Sequence, residues 1–400
     1  MLNCGFYETL WEKWDLYVPF IERAYKMLRP KATLQFITSD AYCHAKYAQR
    51  SQAWFLRNAL IRRLDFVSDL QIFEAGVRNV LFCYQRADGS DNIPLRIRHE
   101  GEFGTTVMLP SVPQCESTYR IFQPDSHKGA VSTVVKTVPL QKICYVSVGA
   151  VVHADEREHH DEFKLEDLVQ DYADKKHPKM FVEGKDLAQW IVKRVRYIEW
   201  GTRRAPAHFR RPTFPELHNA RPKLASLRIA GSDIKVAYDS DQIFFNHTSI
   251  LFVPWHLLEG VRNRSIAKSA KYRDETTAQL DEYREDLEDL SRQFNLKYVL
   301  AVMNSSWACN YLRSRRRSNT DLYPDDWKPL PLPVADQDTQ ETIASKVDAI
   351  LKALKKGQDI SRLEEDIDET ISSLYKGSSE SEHVAVNKEG HERKVADHPG

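Results

Sequence analysis

The sequence lacks the features that most readily assign a class of function. It carries no net charge, because 57 Lys and Arg balance 57 Asp and Glu, so the overall composition indicates no polyanionic partner. No apolar run reaches the ~18 residues of a membrane helix. The N-terminus lacks the basic-then-apolar pattern of a signal peptide. These absences favour a cytoplasmic protein.

Cysteine is too sparse and too scattered to form a recognisable site. The six cysteines include no C-x-x-C pair, and most stand among apolar neighbours. This pattern favours reduced core thiols over disulfides or a zinc site. His153, His159 and His160 lie in "HADEREHHDE", but their spacing matches no standard ligand set, and a solvated loop is the better interpretation. We therefore predict no metal site.

Residues 15–86 alternate between helical and strand patterns. Apolar residues recur every four positions from Leu16 to Leu28, and Pro30 ends the predicted helix. The apolar run "TLQFIT" then predicts a buried strand. This alternation is typical of the closing half of an open α/β sheet. The remaining predicted elements are a helix at 45–60 and strands at 60–67 and 78–86.

The turn-rich segment "RADGSDN" predicts a boundary near residue 88. We expect a connecting segment at 89–145, a second domain at 146–376 and a disordered polar tail at 377–400. Helices are predicted over the acidic segment Asp274–Arg292, over 296–312, and over two closing segments at 339–354 and 360–375. The proline-rich segment 323–334 is predicted to be extended.

Four stretches in a fixed order carry a resemblance to a known family. They are "DLYVPFIERAYKMLRPKATLQFITSDAYCHAKY", "IFEAGVRNVLFCYQR", "KMFVEGKDLAQWIVKRVRYIEWG" and "LKYVLAVMNSSWACNYL", the last followed by "YPDDWKPLPLP". Together they resemble the adenine-N6 DNA methyltransferases of type IIG restriction–modification systems, which carry a TaqI-like C-terminal specificity domain. The resemblance covers roughly residues 11–376. It implies an α/β partial Rossmann-like methyltransferase sheet at 1–88, then an α+β target-recognition domain with C-terminal helices at 146–376.

The sequence departs from that family at its catalytic centre. The family binds S-adenosylmethionine with a glycine-rich turn and carries an Asn-Pro-Pro-Tyr or Asn-Pro-Pro-Phe motif, whereas this chain contains no Pro-Pro dipeptide. We therefore expect an N-terminally truncated enzyme without its own catalytic residues. S-adenosylmethionine belongs to the complete family enzyme and is not expected to bind this chain alone. The alternative within the family is a split system, in which another polypeptide supplies the missing half.

The resemblance also implies a role for the stretch "IFEAGVRN". Enzymes that modify a base within a duplex flip it out of the stack, and the family holds the flipped adenine against an aromatic ring that corresponds to Phe73. The alternative is that Phe73 is an ordinary core aromatic. Arg78 follows as a candidate DNA contact, with a merely solvated arginine as the alternative.

Residues 193–228 give the main evidence from composition for double-stranded DNA as a partner. Ten cations face only Glu199 and Glu216 there, and aromatic residues are interleaved with them. Such a surface suits phosphate contacts and arginine readout of guanine, although a basic surface that binds nothing is the alternative. The cations are Lys193, Arg194, Arg196, Arg203, Arg204, Arg210, Arg211, Arg221, Lys223 and Arg228; the aromatics are Tyr197, Trp200, Phe209 and Phe214.

A second basic cluster lies at Arg313–Arg317, from which Arg315, Arg316 and Arg317 are predicted to contact DNA. Cations also suit the C-terminal end of a helix without any ligand. A rival from another functional class is a protein–protein interaction module that uses the acidic segment Asp274–Arg292 and the closing helices. The basic stretch at 193–228 argues against that rival.

Overall fold

The computed structural model describes residues 6–11, 13–43, 45–67, 69–74, 77–89, 92–110, 135–154, 162–211, 213–229, 234–315 and 321–376. The predicted tail at 377–400 lies outside the described residues. The chain forms two compact units. Unit 1 comprises Met1–Ala130, Ile229–Asp233 and Leu312–Asp326; unit 2 comprises Val131–Arg228, Ile234–Tyr311 and Trp327–Gly400.

Unit 1 contains the alternating elements that the sequence predicts, followed by three further strands. Its first helix and strand are α1 (Tyr17–Lys26) and β1 (Thr33–Ser39). They are followed by α2 (Gln49–Asn58), β2 (Leu60–Phe66), β3 (Asn79–Gln85), β4 (Asn92–His99), β5 (Glu102–Phe103) and β6 (Val107–Pro110). The predicted helices and strands at 15–86 are confirmed.

The strands of unit 1 form one sheet in the order β1-β3-β2-β4-β5, with β6 on β4. Strand β3 is antiparallel to both β1 and β2, so these two run parallel with β3 between them. Later in the chain, β4 pairs with β2 in parallel. The sheet thus includes strands on both sides of residue 88, near which the sequence predicts a boundary. Among the described residues β1 pairs only with β3, which leaves β1 at an edge.

The opening helix packs against this sheet. Its inner face buries Ile21 and Tyr25 in the same core as Phe55 and Phe82, as the four-residue apolar spacing predicts. Tyr25 meets the ring of Phe55 edge-on, with ring centroids 5.2 Å apart. The outer face is also apolar, however, and leaves Phe20 exposed. Only one face of α1 therefore packs against the core of unit 1.

Unit 2 is built from short strands closed by helices. Its strands are β7 (Thr137–Pro139), β8 (Cys144–Val148), β9 (Val151–Ala154), β10 (Val169–Gln170), β11 (Lys179–Val182), β12 (Arg196–Ile198), β13 (Phe209–Arg211), β14 (Lys223–Leu227), β15 (Val236–Asp239), β16 (Phe244–Phe245), β17 (Ser249–Pro254) and β18 (Pro331–Pro333). Its helices are α3 (Leu140–Ile143), α4 (Pro215–Asn219), α5 (Arg284–Arg292), α6 (Leu296–Asn304), the first part of α7 (Ser306–Arg315), the end of α8 (Pro324–Trp327), α9 (Gln337–Lys355) and α10 (Ser361–Lys376).

Two apolar cores organise the strands of unit 2. Core A lies on the antiparallel sheet β15-β14-β17-β8 and includes Ala225, Leu251 and Trp255. Core B joins the sheet β10-β12-β11-β16 to the pair β13-β9. The buried residues of core B are Ala150, Val152, Ala154, Phe163, Leu168, Phe181, Ile198, Ala205, Phe209 and Phe244. The basic stretch at 193–228 contributes to both cores: Val195 packs on core A, Ile198 and Phe209 lie in core B, and Leu217 lies in core A again.

The helices of unit 2 match the sequence in part. The closing helices α9 and α10 confirm the two predicted closing segments. The predicted helix at Asp274–Arg292 covers only α5, because residues 276–283 lie outside any helix. The predicted helix at 296–312 is two helices, since Ser305 is extended between them. The predicted extended segment contains the short helix α8 before β18.

A close backbone approach explains the glycine of "VEGKD". An added Cβ on Gly184 would lie 2.4 Å from the carbonyl oxygen of Thr248, a contact that only glycine avoids. The hydroxyl of Thr248 also accepts the Gly184 amide at 2.8 Å. The described cysteines, which include Cys43 and Cys144, are free thiols. Within the described ranges, no helix has the length and apolar composition needed to cross a bilayer.

Candidate nucleic-acid interface

The cations of the basic stretch occupy different structural settings. Lys193 and Arg194 precede β12, and Arg196 begins it. Arg203 and Arg204 lie in the turn after β12, while Arg210 and Arg211 lie on β13, which pairs with β9. Arg196, Arg210 and Arg211 thus lie on strands that enclose core B, whereas Val192 and Val195, beside Lys193 and Arg194, pack on core A. Arg221, Lys223 and Arg228 come later and belong to the layer of core A.

Arg204 serves an internal carboxylate. The Glu199 side chain is only 1% exposed, and it accepts hydrogen bonds from Arg204 Nε at 3.0 Å and Nη2 at 2.8 Å. Thr202 Oγ1 and Lys176 Nζ complete the site at 2.6 Å and 3.0 Å. Burial raises the pKa of Glu199, but the hydrogen bonds and charge of Arg204, with those of Thr202 and Lys176, lower it to about 2. The carboxylate of Glu199 thus compensates only one of the two positive charges that contact it, those of Arg204 and Lys176.

Arg194 and Arg196 are also paired within the protein. Arg194 Nη2 lies 2.6 Å from Asp171 Oδ1 on the surface. Arg196 contacts Glu183 and, at 3.3 Å, Asp186. These side chains hold the loops beside β12, so they contribute less free positive charge than the sequence suggests.

Lys223 is a correction to the predicted interface. Its side chain is fully buried, and Nζ lies 2.5 Å from Asp239 Oδ2. It also donates to the backbone oxygens of His218 at 2.8 Å and Ala220 at 3.1 Å. Burial lowers the pKa of Lys223, and the charge of Asp239 opposes that shift. With all its donors used inside unit 2, Lys223 cannot contact a phosphate.

Four cations of the basic stretch are exposed and carry no ion pair among the described residues: Lys193, Arg203, Arg211 and Arg221. Arg210 is exposed beside Arg211. Arg228 is half-buried, and its backbone amide donates to Thr248 O at 2.8 Å. The structure therefore leaves a smaller set of cations without an ion pair, namely Lys193, Arg203, Arg211 and Arg221, than the ten counted in the sequence.

The interleaved aromatic residues mostly belong to the cores. Phe209 is buried in core B, and Trp200 meets Phe244 at a ring distance of 5.1 Å. Phe214 packs on core A near Tyr145, with ring centroids 5.8 Å apart. These three rings therefore contribute to the two cores, and the surface of the basic stretch is less aromatic than its sequence suggests. Tyr197 is half-buried on β12.

The structure exposes an aromatic residue that the sequence analysis missed. Tyr172 lies in the loop between β10 and β11 and is 66% exposed. Its neighbours in "QDYADKKHPK" are polar and include three lysines. A turn-rich, lysine-containing segment with one aromatic residue was the available signal, but its two aspartates made the segment look neutral.

In unit 1, Phe73 lies in the loop between β2 and β3 and is 46% exposed. The alternative of an ordinary core aromatic is therefore wrong, while the base-stacking role stays a prediction. Leu70 and Ile72 are exposed in the same loop. Arg78 is half-buried, and burial lowers its pKa against the opposing charge of Asp40. Arg78 thus faces a carboxylate of its own unit.

The second basic cluster is only partly within the described residues. Arg315 ends α7, and its side chain is not described. Arg316 and Arg317 lie outside the described residues, as do His159 and His160. No group of His, Cys, Asp and Glu in the described part of the chain could hold a metal ion.

The segment after β1 does not fit the cofactor that the family resemblance implies. The chain passes directly into a 3-10 turn at Asp40–Cys43, where Asp40, Tyr42 and Cys43 are buried. No glycine occurs between Ser39 and Asn58. A glycine-rich cradle for S-adenosylmethionine is therefore not formed after this strand, and we assign no described residue to the cofactor.

Comparisons with known proteins point to restriction–modification systems. Residues 2–73 match the family described as Eco57I restriction-modification methylase. No curated protein matches the chain. Among solved structures, the type IIL restriction-modification enzyme MmeI in complex with DNA is similar with a TM-score of 0.51 at 11% identity, over 91% of this chain and 50% of that chain. This chain thus spans about half the length of MmeI.

Two further structures have lower scores. A DrdV–DNA complex aligns over 84% of this chain and 39% of that chain, at 9% identity and a TM-score of 0.44. The type IIG restriction endonuclease BpuSI aligns over 92% of this chain and 50% of that chain, at 10% identity and a TM-score of 0.27. At such identities a structural likeness shows the fold alone, and scores below 0.5 carry no argument. The chain is therefore a mixed α/β protein whose N-terminal part matches a restriction–modification methylase family and whose fold is similar to that of a restriction–modification enzyme.

Proposed function

We propose that this chain is the DNA-recognition portion of a site-specific adenine-N6 DNA methyltransferase from a restriction–modification system. The observation that carries the proposal is the set of exposed cations in the basic stretch that have no ion pair among the described residues: Lys193, Arg203, Arg211 and Arg221. Cations without internal partners are the ones that can release counterions from DNA. The match of residues 2–73 to a methylase family supports the same assignment.

The recognition portion would act by positioning. Phosphate contacts fix the register of a protein on a duplex, and base-edge contacts then read the sequence. In the complete enzyme, S-adenosylmethionine would supply the methyl group, and Phe73 would stack on the flipped adenine. This chain would bind the duplex and recognise the target sequence.

An exposed apolar surface on unit 1 favours a second candidate within the same family, the specificity subunit of a split methyltransferase. Helix α1 exposes Leu16, Phe20 and Met27, and β1 forms a sheet edge without a further partner strand among the described residues. Exposed apolar side chains beside a free edge are typical of a surface that another polypeptide covers. The partner would carry the missing methyltransferase half.

The acidic segment gives little support to a protein-interaction module. Asp274 pairs with Arg262 at 2.8 Å, and Asp286 pairs with Arg273 at 2.5 Å. Glu288 is buried against Arg284. Because arginines from the same unit already neutralise these carboxylates, the segment presents much less negative charge than its composition suggests.

The proposal is tested by fluorescence anisotropy of labelled duplexes across a salt series. We expect binding that weakens with salt along a linear log–log plot, and enrichment of one motif when the chain selects from a random duplex pool. Binding without enrichment would remove the specificity function. An absence of binding even at low salt would refute the proposal as a whole.

A further inference from the structure

The loop Asp171–Pro178, which we call the tyrosine loop, connects β10 to β11 at the surface of core B. It presents Tyr172, which is the most exposed large aromatic residue of unit 2 among those described. Single exposed aromatics are common on protein surfaces. The tyrosine loop stands out because its backbone is fixed by internal hydrogen bonds while its ring is left outside.

Asp174 is the centre of that fixation. Its Oδ1 accepts the amides of Lys176 at 2.9 Å and His177 at 2.6 Å, together with His177 Nδ1 at 2.9 Å. Its Oδ2 accepts Gln170 Nε2 at 2.9 Å. The bonds from Gln170, His177 and Lys176 lower the pKa of Asp174 to about 2. The carboxylate therefore stays ionised and holds both ends of the loop.

Further contacts attach the tyrosine loop to the sheet. Gln170 Nε2 also donates to the backbone oxygen of Tyr172 at 2.8 Å. The backbone oxygen of Lys176 accepts the amide of Trp200 at 3.0 Å, and Asp171 pairs with Arg194. Tyr172 thus projects from a backbone that is hydrogen-bonded on both sides of it.

The same contacts leave the loop with free positive charge. Asp171 is paired with Arg194, and Lys176 reaches Glu199, which Arg204 also neutralises. Lys175 is exposed and has no carboxylate partner among the described residues. Asp174 keeps its own negative charge, because none of its donors is a lysine or an arginine side chain. The cations on and around the loop (Lys175, Lys176, Arg194 and Arg204) nevertheless outnumber the carboxylates of Asp171, Asp174 and Glu199 by four to three.

We propose that the tyrosine loop is a preorganised contact to the DNA backbone, in which the Tyr172 hydroxyl and the Lys175 ammonium donate to phosphate oxygens of a duplex. This inference rests on the proposed function and extends it beyond the stretch 193–228. Tyrosine and lysine are among the side chains that contact phosphates. A loop that is already ordered loses little conformational entropy on binding, so more of the free energy of its contacts contributes to affinity.

The role of Asp174 gives a test whose sign separates two explanations. If the loop attracts DNA only through net charge, Asp174→Ala removes a negative charge and strengthens binding. If the loop must be preorganised, the same variant frees four donors, disorders the loop and weakens binding by roughly threefold to tenfold. Glu216→Ala is the matched control, because it removes an exposed carboxylate of the basic stretch without touching the tyrosine loop.

The experiment measures duplex affinity of the full chain by anisotropy across a salt series, with thermal unfolding to verify folding. We expect Tyr172→Phe to weaken binding about tenfold, as for loss of a hydrogen bond to a charged group. Lys175→Ala should reduce the log–log salt slope by about 0.9. Asp174→Ala should weaken binding, whereas Glu216→Ala should leave it equal or tighter.

Each other outcome overturns the inference in a recognisable way. If wild type binds DNA and loses affinity when Arg203 and Arg211 are replaced, but not when Tyr172 or Lys175 is, the tyrosine loop does not contact DNA and the proposed function stands. Tighter binding by Asp174→Ala would also refute preorganisation. If wild type binds no duplex, the inference fails together with the proposed function.

Discussion

The division between paired and free cations predicts how DNA affinity depends on salt. Replacing Lys193, Arg203 and Arg211 together with alanine removes three of the four exposed cations of the basic stretch that have no ion pair among the described residues. Each phosphate contact contributes about 0.9 to the log–log salt slope. If all three contact phosphates, the slope should therefore flatten by up to about 2.7, and affinity should fall for every sequence alike.

Arg204→Ala is the control for this prediction. Arg204 lies in the same turn as Arg203, but its guanidinium is bound to Glu199. Removing it should leave the salt slope nearly unchanged, because Arg204 releases few counterions in the folded protein. The assay is anisotropy of one duplex across a salt series, with each variant verified by its unfolding temperature. An unchanged slope in the triple variant, or an equal change in Arg204→Ala, would refute the assignment of free cations.

The remaining predictions concern stability, boundaries and the cofactor. Arg204→Ala should lower the free energy of unfolding by about 1–3 kcal/mol in urea titrations, because Glu199 loses two hydrogen bonds while still buried. The folded pKa of Glu199, about 2, lies below its ordinary value of 4.5. The stability that ionised Glu199 contributes is therefore present above about pH 4.5 and is lost as the pH falls towards 2. In the variant Glu199→Gln, the unfolding temperature should fall less steeply with pH over this range. A chain started at residue 135 should unfold at a higher temperature than one started at Ile143, since the latter lacks β7 and Leu140. Calorimetry should detect no binding of S-adenosylmethionine to this chain alone, and micromolar binding would contradict that expectation.

Local pattern was sufficient for the helices and strands whose packing is local. The four-residue spacing in α1 and the apolar run in β1 each satisfy one face of a nearby core, so periodicity predicts them. The break between α6 and α7 could not be read in this way. Both hydrogen-bonding atoms of the Asn304 amide bind the backbone of Val236, and this distant contact accompanies the interruption in an otherwise apolar helical pattern.

The candidate interface was only partly predictable because charge pairing is a tertiary property. The sequence correctly indicates an excess of cations at 193–228. The partners of Arg194 and Lys223, however, are Asp171 and Asp239, which both lie outside that stretch. A count of residues within the stretch cannot show that such cations are paired. Conversely, Asp171 and Asp174 offset the lysines of the tyrosine loop in the sequence, whereas in the structure Asp171 pairs with Arg194 from outside the loop.

The pairing of β7 with β18 has a consequence for synthesis on the ribosome. Thr137 lies opposite Pro333, and Leu140 donates its amide to Leu330, so the first strand of unit 2 meets its partner only after nearly all of the unit has been translated. Such a distant contact forms slowly and late. During elongation, the apolar side chains of α3 would stay exposed to solvent until these later residues are made. Exposed apolar surface of this kind makes a nascent chain prone to aggregation and a substrate for chaperones.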